Sequence, residues 1–124
     1  MTVFTLKYDN YYINTQHQLL CDSLMLVCNN IIQFDDEFIA NKYKNDIINQ
    51  SYLLATSLVG KPYDMKYASF YLKNIIAMKL LDFDENDNLQ LTLDVDRIIE
   101  EEIANSFSLV PMWEVYKDES KKFD

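Results

Sequence analysis

The chain has 124 residues, of which 49% are hydrophobic, one is glycine, two are cysteine and one is histidine, and its formal net charge is −9. That length suits one domain spanning residues 1–124, and the apolar fraction is enough to bury a core without disulfides or a structural metal. A P-loop, a dinucleotide fingerprint and a nucleophile elbow each need two or more glycines at fixed spacings, so the lone Gly60 excludes all three, and the lone His17 excludes multi-histidine metal centres.

Asn, Ile, Lys and Tyr number 11, 11, 10 and 9, and lysine outnumbers arginine ten to one. These residue types have AT-rich codons, a signature of low-GC bacteria, their phages and plasmids, and some large DNA viruses. No charged region followed by an apolar run opens the sequence, so no signal peptide is expected. The longest apolar-rich stretch, Leu19 to Val27, is short and carries Asp22, whereas a membrane span needs about 20 apolar residues. We therefore expect a protein of the cytoplasm, the host cell's if the source is viral.

Residues 3–8 are β-branched or aromatic and loosely alternating, which predicts a strand closed by a turn at Asp9-Asn10. Asn14 or Thr15 then offers a cap for a first helix running to about Gln33, with Leu19, Leu20, Leu24, Met25, Val27, Cys28, Ile31 and Ile32 covering most of its circumference. Asp35 or Asp36 caps a second helix whose apolar spacing continues to Leu58, where Gly60 and Pro62 stop it. A third helix is predicted from about Asp64 to Leu80. Asp82 to Asn88 is a cluster of turn formers, and Leu89 to Val95 alternates strictly, as a half-buried strand does. Asp96 can cap a short fourth helix reaching Ala104. Phe107 to Tyr116 reads as strand broken at Pro111, free to pair with the amino-terminal strand or with residues 89–95, before a charged tail that frays from about residue 117. The fold class expected is α+β, predominantly helical: three to four helices in a small bundle with a short two- or three-stranded antiparallel sheet.

Charge is distributed unevenly. Between residues 82 and 102 stand nine carboxylates (Asp82, Asp84, Glu85, Asp87, Asp94, Asp96, Glu100, Glu101, Glu102) and one base, Arg97. Such a block repels phosphate and attracts a basic surface, whose encounter it accelerates. Asp82, Asp84, Asn86 and Asn88 have the spacing of calcium ligands in an EF-hand, but Asp87 stands at the glycine position and Leu93 where a bidentate Glu is needed, so a turn is the expected structure. His17, Cys21 and Cys28 fall near one face of the predicted first helix, where the two thiols are too far apart to bridge. They read as core residues, since no oxyanion feature accompanies them and the zinc-ligand set is incomplete.

Two further features bear on partners. Lys61, Lys66, Lys73 and Lys79 interleave with Tyr63, Tyr67, Phe70 and Tyr71, and helix, turn and strand follow in the order of a winged helix; yet the wing would be acidic and no arginine is present to read guanine. Trp113 is the only tryptophan, placed by preference in the core; alternatively it joins Tyr63, Tyr67, Tyr71 and Tyr116 in a second interface. No spacing of acids, nucleophile and base, or metal ligands marks an enzyme, and no cofactor or metal is expected. In composition the chain is similar to small acidic phage and plasmid proteins such as nuclease inhibitors, anti-defence proteins and toxin-immunity proteins; no motif assigns it to one family. The expected function is a non-catalytic inhibitor that presents residues 82–102 to a basic, nucleic-acid-binding site on a partner. Alternatives are an oligomeric accessory or assembly protein of a phage or mobile element, and a winged-helix DNA-binding regulator.

Overall fold

A computed structural model describes residues 2–21, 30–115 and 117. β1 (Phe4–Tyr8) turns back through Asp9, whose φ of 51° a short Asx side chain tolerates, into β2 (Tyr11–Ile13). β3 (Leu19–Leu20) pairs antiparallel with β2, and β6 (Phe107–Pro111) pairs antiparallel with the other edge of β1, from Phe4↔Pro111 to Tyr8↔Phe107. The sheet order is β3-β2-β1-β6, so β1 is interior and joins the two distant parts of the chain. Its strand chemistry fits that position: Thr5, Leu6 and Tyr8 are all buried, as a strand covered on both faces requires.

α1 (Glu37–Leu58) starts where expected, with Asp36 extended and its Oδ1 accepting from the Phe38 N–H at 2.8 Å. Ala40, Ile47, Ile48, Ser51, Ala55 and Leu58 form its inward stripe. It ends where Gly60 takes φ 85°, the left-handed conformation that glycine adopts without steric cost. The Gly60 N–H then donates to the Leu89 carbonyl at 2.7 Å, and Leu89 donates to Lys61 at 2.8 Å. α2 (Leu72–Lys79) packs on α1 through Leu72, Ile76 and Ala77. A two-stranded hairpin of β4 (Leu81–Phe83) and β5 (Leu89–Leu91) follows, then α3 (Val95–Glu101), one π-helical turn (Glu102–Ser106) and β6. Residues 112–115 are helical. The main core gathers Leu6, Tyr8, Ile13, Phe34, Ile47, Ile48, Leu72, Ile76 and Phe107; a second cluster of Ala55, Ala77 and Leu80 receives Leu81, Leu91, Val95, Ile98 and Ile99.

The class is α+β, but among the described residues sheet takes a larger share than expected: four strands in one sheet and two in another, so helix does not clearly predominate. The chief correction concerns residues 14–33. Asn14 does not cap a helix; its Oδ1 accepts from the backbone N–H of Gln16 and of Gln18, closing a turn between β2 and β3. His17 sits in that turn with φ 61°, and Ile31 bridges to Asn14, which excludes helix at both ends of the expected span. Residues 22–29, with Leu24, Met25, Val27 and Cys28, lie outside the described residues, as do Tyr116 and the tail from 118.

The third helix is also shorter than its tyrosine spacing implied. Met65–Tyr67 is a single 3-10 turn capped by Asp64. Residues 68–71 then leave helical geometry because the hairpin captures them: Tyr71 bridges Gln18, and the Leu72 N–H donates to the His17 carbonyl at 2.7 Å. The strand expected to Val95 stops at Leu91, and Asp94, not Asp96, occupies the cap position of α3. β6 pairs with the amino-terminal strand, one of the two partners anticipated for it.

Core and surface positions should separate cleanly. Ile76 is fully buried and Leu53 is 65% exposed. In urea unfolding, Ile76→Ala should cost about 2–5 kcal/mol, while Leu53→Ala stays within about 0.5 kcal/mol of wild type.

Candidate functional site

Asp84 builds the β4–β5 turn. Its Oδ1 accepts from the N–H groups of Asn86 (2.8 Å) and Asn88 (2.9 Å), its backbone N–H donates to the Asn88 carbonyl, and Asp87 adopts φ 61°. Of the four residues with calcium-ligand spacing, Asp84 thus spends its carboxylate on closing the hairpin, to which Asn86 and Asn88 contribute backbone groups. Leu81, Leu91 and the buried Leu89 anchor the hairpin to the core, which leaves Asp82, Glu85 and Asp87 exposed and Asp84 half-buried. A shallow depression of about 440 Å³ is lined by Phe83, Asp84, Glu85, Asn86 and Gln90. Phe83, 55% exposed, meets the ring of Tyr63, 46% exposed, edge to face at 6.2 Å. Carboxylates and an aromatic pair therefore share one surface.

The carboxylates after the hairpin have different fates. Val95, Ile98 and Ile99 turn α3 inward, leaving Asp94, Asp96, Glu100 and Glu101 in solvent. Arg97 bridges Asp94 (3.3 Å) and Glu101 (2.8 Å), so two of these four share a single positive charge, and those contacts hold the guanidinium pKa above its ordinary value. Glu102, expected on the acidic surface, is a correction: it is 7% exposed and faces the interior.

Glu102 belongs to a polar cluster that the sequence did not single out. Tyr8 donates its hydroxyl to Glu102 Oε2, while Lys79 Nζ donates to Glu102 Oε1 at 3.0 Å and to the Tyr8 hydroxyl at 2.8 Å. Burial, reinforced by the bond to Glu102, pushes the Tyr8 pKa up to about 12, so the phenol keeps the proton it donates. Burial works against the Lys79 ammonium, but its bonds to Tyr8 and Glu102 outweigh that and hold it protonated above the usual lysine value. The signal was present in the spacing: Glu102 lies four residues after Ile98 and three after Ile99, on the stripe continued by Ile103. The π-helical turn that opens with Glu102 ends where the Asp9 N–H donates to the Ser106 carbonyl at 2.7 Å, tying it to β1.

Other candidate residues are dispersed. Tyr67 is half-buried beneath the Lys66 ammonium (5.7 Å), and Tyr71, 41% exposed, stands at the bridge to Gln18; with Tyr63 they do not form one helical face. Trp113 is 74% exposed, which corrects its expected place in the core: Met112 and Val115 turn inward instead. His17 and Cys21 lie on and just after the β2–β3 hairpin, so they share no helical face. Among the described residues no group of three or more His, Cys, Asp or Glu side chains is placed to hold a metal ion, and no helix is long and apolar enough to cross a membrane. Comparison with known proteins finds no matching family model, no matching curated protein and no matching solved structure.

Two stability predictions follow from these contacts. Lys79→Met leaves the buried Glu102 carboxylate with only the tyrosine donor and should cost about 1–3 kcal/mol in urea unfolding, with Lys79→Arg recovering most of that loss. His17 stacks edge-on against Tyr43 at 5.2 Å, and burial, then the charge of Lys73, lowers its pKa below 6.5. The folded chain therefore binds this proton less readily than the unfolded chain. The His17 contribution is complete above pH 6.5 and declines as pH falls below that value towards the folded-state pKa. Stability should fall over that range, and His17→Phe should flatten the fall.

Proposed function

We propose that this chain is a non-catalytic protein-binding module of the cytoplasm. In this reading it is an inhibitor of the anti-defence or immunity type, carried by a phage, plasmid or virus. Its acidic hairpin occupies a basic surface that a partner, such as a nuclease or another nucleic-acid-binding effector, otherwise uses for phosphates. The observation that carries the reading is the hairpin itself: Asp82, Glu85 and Asp87 are exposed on a turn anchored in the core, beside the exposed Tyr63–Phe83 pair. Exposed carboxylates next to aromatic rings supply both electrostatic steering and the kind of side chain that contributes most at interface centres. Asp96 and Glu100 on α3 extend the charge; Asp94 and Glu101 share the one positive charge of Arg97, and Glu102 serves the interior.

Trp113 favours a second reading, an oligomeric accessory or assembly protein, because an exposed tryptophan at the end of β6 is a natural interface anchor. A winged-helix regulator has the least support. α2 has eight residues, buries Leu72, Ile76 and Ala77, and commits Lys79 to Glu102.

The test uses the immobilised chain to capture its partner from the host, with Asp82→Asn/Glu85→Gln/Asp87→Asn as the comparison. Asp84 is spared because it closes the turn. The expected result is capture that duplex DNA competes away, that weakens as salt rises towards about 1 M and the screening length shrinks to ~3 Å, and that the triple variant loses. Capture unchanged in the triple variant would overturn the assignment of the hairpin.

A further inference from the structure

α3 is held against the molecule by three side chains and little else. None of its seven residues is fully buried. Val95, Ile98 and Ile99, each half-buried, rest on a floor of Ala55 from α1, Ala77 from α2 and Leu80, which are buried completely. The backbone of α3 does not run close against α1 or α2. Its ion pairs are internal: Arg97 spans Asp94 and Glu101, and among the described residues no side-chain polar bond of α3 reaches another element. Asp94 stands at the cap position but gives its carboxylate to Arg97 and makes no capping bond. The two ends of the segment, by contrast, are fixed. Before it, the Thr92 N–H donates to the Leu80 carbonyl at 3.0 Å; after it, Glu102 is bound by Tyr8 and Lys79. Leu93, between the first anchor and the helix, is fully exposed.

We propose that residues 93–101 form a strap that opens as a unit between these two anchors, while α1, α2 and the four-stranded sheet stay folded, and so uncovers the floor of Ala55, Ala77 and Leu80. Segments with few buried apolar contacts and solvent-exposed hydrogen bonds open at a lower free energy than the core does. Helices shorter than about 12–15 residues are marginal in water, so a seven-residue helix that leaves its floor also melts, and undocking and melting are one event. Opening parts Arg97 from Asp94 and Glu101 and carries Asp96 and Glu100 away from their place beside the hairpin. The acidic surface therefore has two arrangements, one with α3 docked and one with the strap extended. The device goes beyond the partner-binding reading and does not depend on it, because it is a property of the chain alone.

Arg97 is the chain's single arginine and lies at the centre of the strap, so an arginine-specific protease reads the opening at one bond. Where opening and closing are fast relative to cleavage, the rate of cutting follows the population of the open form. The experiment measures that rate on the purified, folded chain in native buffer, with a synthetic peptide of residues 90–104 giving the rate at a freely accessible Arg97. Two variants separate local from global opening. Val95→Ala weakens the docking of the strap; Ile13→Val weakens the main core on β2. The expected result is that the folded chain is cut after Arg97 faster than its unfolded fraction in urea extrapolation allows. Val95→Ala should speed the cutting about threefold or more, and Ile13→Val should leave it within about twofold although urea unfolding shows that variant to be less stable. Cutting that Ile13→Val accelerates as much as it raises the unfolded fraction overturns the proposal, because Arg97 is then reached only through global unfolding. So does a folded chain cut no faster than that fraction allows, or a Val95→Ala chain cut at the wild-type rate.

Discussion

A carboxylate with almost no access to water has to be matched by donors, and the fold is arranged so that Glu102 is. One donor, Tyr8, lies on the interior strand of the sheet; the other, Lys79, lies on the last turn of α2. The bonds therefore tie three segments far apart in the chain: β1, α2, and the π-helical turn after α3. An unmatched carboxylate here would carry a large desolvation cost, so alternative packings of these segments are disfavoured more strongly than apolar contacts alone would disfavour them. Lys79 also lies over the Tyr8 ring at 5.2 Å, and Tyr8 meets Phe107 of β6 edge to face at 5.0 Å, so the cluster is continuous with the sheet.

That tie determines what reaches the surface. The β4–β5 hairpin is the segment between Lys79 and α3, both of which the cluster restrains. Its apolar residues Leu81 and Leu91 are drawn into the second core cluster, so its turn projects outward. The nine carboxylates of residues 82–102 then divide by role. Glu102 holds the interior, Asp84 closes the turn, Asp94 and Glu101 balance Arg97, and Asp82, Glu85, Asp87, Asp96 and Glu100 are left to give the surface its charge. A concentration of charge in sequence is thus only partly a concentration of charge at the surface.

Much of this was legible from residue order where one physical reading dominated. A cap at Asp35 or Asp36, the long apolar stripe to Leu58, Gly60 as stop and the turn within Asp82 to Asn88 are set by strong local chemistry, and the structure has each of them there. The failures come where a residue supports two structures of similar local energy. Asn14 is as good at closing an Asx turn as at capping a helix, and the apolar richness after it favoured the helix; pairing with β1 and the bridge to Ile31 decided otherwise. The break at residues 68–71 has no local cause, because it is the distant His17 carbonyl that captures the Leu72 N–H. Trp113, expected by preference in the core, is exposed, because the helical turn after Pro111 sends Met112 and Val115 inward instead. Within the acidic block only Glu102 departs from the expected surface, because the period of the helix that carries it turns it inward with Ile98 and Ile99.

The acidic segment thus divides its labour between an interior carboxylate, Glu102, and exposed ones on the hairpin. Urea unfolding of two variants at neutral pH measures it directly: Glu102→Gln, and the hairpin triple Asp82→Asn/Glu85→Gln/Asp87→Asn. Glu102→Gln removes the charge that Lys79 matches and should lower stability by about 1–3 kcal/mol, while the triple variant, relieved of repulsion among exposed carboxylates, should be as stable as wild type or slightly more so. Equal destabilisation by the two, or an effect confined to the triple variant, would contradict it.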